Sequence, residues 1–117
     1  TGKFGVSNHT DTVTYASMSS GMTKNLTSTV GVYRLVYNLF CTTADAGAGS
    51  VQLTLSFNNG AAQTMTSAAV DLTSTANKDD DVFIFYVASG TPSISTAITG
   101  SAGTSKHSIH AIVERLK

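Results

Sequence analysis

Charge is scarce in this chain, cysteine scarcer, and neither a long apolar run nor a helical apolar stripe occurs. Seven Lys and Arg offset seven Asp and Glu in 117 residues. Nothing therefore steers the protein electrostatically toward nucleic acid or an anionic membrane, so no nucleic-acid partner is expected. Charged residues make up 12%, about half the roughly 25% of ordinary soluble domains. The single Cys41 excludes an intrachain disulfide and sits in a strongly apolar segment, where a buried, inert thiol is expected. No stretch approaches the ~20 apolar residues that span a bilayer, so no membrane insertion is expected. The opening Thr-Gly-Lys-Phe lacks an apolar signal core and an initiating Met, and residues 1–9 are expected to lead in from a longer stalk or subunit. Without a secretory signal, Asn8-His9-Thr10 and Asn25-Leu26-Thr27 read as chance matches to the glycosylation acceptor pattern.

Serine and threonine fill 33 positions, which predicts a neutral, hydroxyl-rich surface over one domain covering residues 1–117. β-Branched and aromatic runs broken by Gly, Asn and Asp predict about eight strands, at 11–16, 22–26, 30–42, 50–57, 61–67, 82–89, 93–99 and 105–116. Asn58-Asn59-Gly60 is a tight hairpin signal joining two of them, since Asn and Gly tolerate positive φ. Residues 44–49 and 73–81 read as polar loops, with short breaks at 90–92 and 100–104. The fold class expected is all-β, an antiparallel two-sheet jelly-roll sandwich.

The strands differ in how many faces are apolar. In 50–57, Val51, Leu53, Leu55 and Phe57 oppose Gln52, Thr54 and Ser56, the mark of a sheet with one wet side. Segments 61–67 and 93–99 behave likewise and join it in an outer sheet. In 82–89, by contrast, Val82, Ile84 and Tyr86 oppose Phe83, Phe85 and Val87. Segments 30–42 and 105–116 are also apolar on both sides, so one face of each fills the sandwich and the other requires a partner. For 82–89 the contact is expected on the side of Phe83, Phe85 and Val87, because aromatic anchors dominate interfaces. Val36, Phe40, Ile112 and Leu116 are the matching candidates on the other two strands.

The two-sided strands are the third, sixth and eighth, an order that resembles the tumour-necrosis-factor-like jelly roll. That resemblance implies an inner sheet packed about a threefold axis in a homotrimer. Gly31-Val32-Tyr33-Arg34-Leu35-Val36-Tyr37, Phe57-Asn58-Asn59-Gly60, Ala88-Ser89-Gly90-Thr91-Pro92 and Ala111-Ile112-Val113-Glu114-Arg115-Leu116 resemble the C-terminal knob domains of bacteriophage fibre, spike and tail-needle proteins. The resemblance implies a virion-surface structural protein on a capsid or tail. Its partners would be its own copies, other virion proteins and a host-surface glycan or protein. Absence of a disulfide and a signal argues against a secreted cytokine-like ligand.

No constellation announces chemistry. His107 and His110 are three apart and face opposite sides of a strand, so the pair alone makes no metal site. Asp79-Asp80-Asp81 beside Lys78 lacks the spacing of a calcium loop and reads as a solvated turn. No Gly-x-Ser-x-Gly elbow accompanies the many serines, and Glu114, the sole glutamate, reads as a paired charge or interface contact. The Gly-rich stretches 47–49 and 100–103 lack the Lys and following helix of a phosphate loop. The expectation is no enzyme and no cofactor. Recognition, if it resides in loops, falls to Asp45, Asn77, Lys78, Asp79, Asp80, Ser101 and Thr104, none of which is aromatic. The alternative is a monomeric carbohydrate-binding β-sandwich module.

Overall fold

The computed structural model describes residues 8–117, with side chains described from Asp11 onward. Residues 1–7 of the expected lead-in 1–9, the His9 imidazole and the Asn8-His9-Thr10 side chains lie outside the described residues, while Asn8 and His9 begin the first strand. Nine strands and no helix occur among those described: β1 (Asn8–Met18), β2 (Met22–Asn25), β3 (Gly31–Thr43), β4 (Ser50–Asn58), β5 (Ala62–Thr66), β6 (Val70–Asp71), β7 (Lys78–Val87), β8 (Ser93–Thr99) and β9 (Lys106–Arg115). They form two antiparallel sheets, one in the order β1-β9-β3-β7, the other β2-β8-β4-β5 with β6 also on β4. The expected all-β sandwich is present, and the two-sided strands share a sheet with β1.

Alternation builds the core. Tyr33, Leu35, Tyr37, Leu39 and Cys41 of β3 point inward, as do Ile109, Ala111 and Val113 of β9. They meet Val51, Leu53, Leu55 and Phe57 of β4 and Ile94 of β8. Full burial of one such leucine is worth about 2 to 3 kcal/mol. Phe85 stacks on Tyr33 at 5.7 Å and lies 5.3 Å from Phe57, tying β7 and β3 to the opposite sheet. Gly60 at φ 116° closes the predicted hairpin, its amide donating to Asn58 Oδ1 at 2.8 Å.

Two expectations about elements are corrected. β6 adds a ninth strand: Val70 and Leu72 are buried, but the paired run is only two residues long and carries no periodicity to read. Lys78, Asp79 and Asp80, expected in a solvated loop, begin β7 and pair with Phe40, Leu39 and Asn38. β7 is an edge strand, where charge is tolerated and blunts unwanted pairing. Asp79 also has a specific task, accepting the Tyr37 hydroxyl at 2.7 Å. Burial first and that carboxylate second push the Tyr37 phenol well above its ordinary pKa.

Candidate functional site

Because β3, β7 and β9 bury one set of alternate side chains, the other set forms the outward face of the first sheet, in rows set by strand register. Tyr86 lies opposite Val32, and Leu116 joins that end through its amide, which donates to the Val32 carbonyl at 2.7 Å. The next row is Ile84, Arg34 and Glu114; after it come Val82, Val36, Ile112 and Thr12. Val30, Val36, Val82, Ile84, Tyr86, Ile112 and Leu116 are the large apolar side chains left exposed among the described residues, at 37% to 54% of their area. Together they leave roughly 500 Å² of apolar surface in water, near the top of what a monomer's largest patch shows and in the range where such patches are commonly functional. Arg34 sits among these rows, donating to Glu114 at 2.7 Å. Glu114 is thus the paired charge expected, but with the cross-strand Arg34.

This face corrects the side chosen for β7. Phe85 and Val87 are buried at 3% and 1%, and Phe83 packs against the core, 5.3 Å from Tyr37. The flat, fully apolar phenylalanine rings fill the space between sheets, while Tyr86 keeps its hydroxyl toward water. Val36, Phe40, Ile112 and Leu116 do lie outward, with Phe40 half-buried.

Beyond Val36 the face turns polar. Asp80, Asn38, His110 and Thr14 form one row across all four strands, and Lys78, Phe40 and Ser108 form the next. Thr14 Oγ1 and His110 Nδ1 are 2.9 Å apart, and Lys78 Nζ is 3.6 Å from Asp80. Alternation fixes these positions, so Asn38 and Thr14 are readable from strand parity, although their polar types carry no motif.

The same end of the molecule gathers the predicted recognition loops. Asp45 accepts the Thr104 amide at 2.7 Å, the Thr104 hydroxyl at 3.0 Å and the Gly47 amide at 2.9 Å, clasping loop 44–49 to loop 100–105. Those bonds, the Thr104 amide foremost, hold its carboxyl below the ordinary range. The Ser101 carbonyl accepts the Gly49 amide at 2.7 Å, and the Asn77 side chain donates to the Asp71 carbonyl at 3.0 Å. Asp45, Ser101 and Thr104 are therefore spent largely on joining loops. Beside them Ala48, Gly49, Ser50, Ala69, Asp71 and Thr73 line an open depression of about 370 Å³.

Inside, His107 is fully buried, with Nε2 3.1 Å from Thr96 Oγ1. Burial pushes its pKa below the ordinary value. Cys41 is buried and free, donating to the Thr43 carbonyl at 3.3 Å, and burial pushes its thiol upward. His107 and His110 do face opposite ways, and among the described residues no group of three or more His, Cys, Asp or Glu is placed to hold a metal ion.

No protein-family model matches the chain, and no curated protein matches it in sequence. Among solved structures it is similar to the carbohydrate-binding module TmCBM61, determined in complex with beta-1,4-galactotriose. The likeness has 15% identity and a TM-score of 0.55, and covers 90% of this chain and 70% of that one. At that identity the two share a jelly-roll-like β-sandwich.

Proposed function

We propose that this chain is a non-enzymatic surface module that assembles through the outward face of its first sheet. In this reading it forms a homotrimeric fibre, spike or decoration head on a phage particle, contacting other virion proteins and serving host attachment. One observation carries the assembly: among the described residues, the seven exposed large apolar side chains cluster on strands and strand ends of one sheet. A face four strands wide and nine residues long measures about 19 by 30 Å. With side-chain relief it approaches the ~800 Å² per partner of a standard stable interface. The phage assignment draws its support from the segment resemblances at 31–37, 57–60, 88–92 and 111–116. Light scattering tests the assembly: a trimer weighs three times the 12.1 kDa chain, and a well-behaved monomer at micromolar concentration overturns it.

A second reading, the monomeric carbohydrate-binding module, is favoured by the likeness to TmCBM61. Titration with β-1,4-galactotriose, followed by calorimetry, probes it; heat of binding by a 12.1 kDa species would favour this reading over assembly.

A further inference from the structure

We infer that the polar row Asp80–Asn38–His110–Thr14, with Phe40 at its flank, binds a neutral saccharide; this rests on the carbohydrate-binding reading above, or on host attachment through a glycan. Four adjacent strands present one polar side chain each, at successive spacings of about 4.8 Å, comparable to the spread of hydroxyls around a sugar ring. The set supplies what a polyol requires. Asp80 offers acceptors, the Asn38 amide both a donor and an acceptor, and the His110 imidazole one nitrogen of either role. Asp80, Asn38 and His110 are exposed, and Asn38 makes no side-chain hydrogen bond among the described residues.

Two of the groups are already positioned. Thr14 engages His110 Nδ1 at 2.9 Å, which turns Nε2 away from that contact, and Lys78 stands 3.6 Å from Asp80. Ligand groups held by a paired sheet are ordered before binding, which lowers the entropic cost of association. Half-buried Phe40, next outward residue on β3, supplies an apolar surface for the C–H face of a ring. Lys78 offsets the Asp80 charge, so the row favours an uncharged sugar over an acidic one. It also lies past Val36, at the rim of the apolar rows, where assembly through those rows would leave it at the edge of the contact.

The test is an array of neutral oligosaccharides containing β-1,4-linked galactose, glucose and N-acetylglucosamine trimers, probed with the full chain. Amide chemical-shift mapping of the best binder follows. Shifts at Asn38, Asp80 and His110, with at least tenfold weaker binding in Asn38→Ala and Asp80→Ala at unchanged thermal midpoint and mass, support the inference. Binding that survives both substitutions, or shifts centred on Asp71 and Thr73, overturns this site while leaving glycan recognition standing. Absence of binding to every sugar overturns the site and glycan recognition together, and the assembly reading stands or falls separately by mass.

Discussion

Replacing Ile84 and Phe85, neighbours in β7, with aspartate should give opposite failures, because one points to solvent and the other into the sandwich. Ile84 is 50% exposed, which leaves roughly 90 Å² of its side chain to be covered in an assembly; at about 25 cal/mol per Å² that is ~2 kcal/mol per copy. Ile84→Asp removes this and places a carboxylate in the contact, so association should weaken by about 40-fold or more per interface. The subunit itself should keep its fold, losing no more than about 1 kcal/mol of strand preference. Phe85 is 3% exposed and lies between the rings of Tyr33 and Phe57. Phe85→Asp loses ~3 to 5 kcal/mol of packing and buries an unpaired charge, enough to exhaust the ~5 to 15 kcal/mol that stabilise a typical domain. Light scattering and urea unfolding of both variants beside wild type supply the measurement. A folded Phe85→Asp protein would refute the assigned facing of β7. An Ile84→Asp protein retaining an oligomeric wild-type mass would refute assembly through this face.

Gly60→Val should cost about 1 to 3 kcal/mol in urea unfolding purely through backbone strain, since φ is 116° and nothing lies within 4 Å of an added Cβ; an unchanged midpoint contradicts this. Cys41 should react slowly with thiol reagents in the native state and rapidly in denaturant, and fast native labelling would contradict its burial. His107 has a depressed folded pKa, so its neutral form belongs to the fold and the unfolded chain takes up a proton first, near pH ~6.5. Its contribution is complete above that pH and declines as pH falls through the folded value; the urea midpoint should be lower at pH 5 than at pH 7.5, and His107→Gln should flatten the difference. Asp45→Ala should speed hydrogen exchange at the Gly47 and Thr104 amides, and unchanged protection would mean the clasp is not what orders these loops.

Strand alternation carries most of the architecture. β4 reads from Val51, Leu53, Leu55 and Phe57 without ambiguity because Gln52, Thr54 and Ser56 interrupt them, and the observed burial follows that pattern. The division into a one-sided and a two-sided sheet is equally visible. Where a strand is apolar on both sides, hydrophobicity no longer distinguishes inside from outside, and the expected facing of β7 differs from the observed one for that reason. Residue type held the missing signal: Tyr86 bears a hydroxyl that favours water, whereas Phe83 and Phe85 do not. Lys78 to Asp81 misled in the other direction, since a charge run resembles a turn until an edge position and the Tyr37 hydroxyl give it a place in a strand. The polar row is hidden in the sequence because its members are 24 to 96 residues apart, as the numbers of Thr14, Asn38, Asp80 and His110 make plain, and only the pairing of four strands makes them neighbours.

Two-sided strands raise a second difficulty, one of register. A one-residue slip in a one-sided strand turns its whole apolar set to water and is strongly opposed, but in β3 or β9 the other face is apolar too, so the penalty is small. Something polar must then select the alignment. In the first sheet three such contacts bear on it: Arg34 with Glu114 between β3 and β9, Tyr37 with Asp79 between β3 and β7, and Thr14 with His110 between β1 and β9. Each joins neighbouring strands: a slip of β3 would break the first two and move Tyr37 out of the core, and a slip of β9 would break the first and the third. A fourth, His107 with Thr96, joins the sheet to β8 across the sandwich. The few charged side chains of this chain are concentrated where apolar pattern is least able to specify structure. Scarcity of charge elsewhere leaves most of the outward face apolar, and the polar contacts fix which side of each two-sided strand points outward.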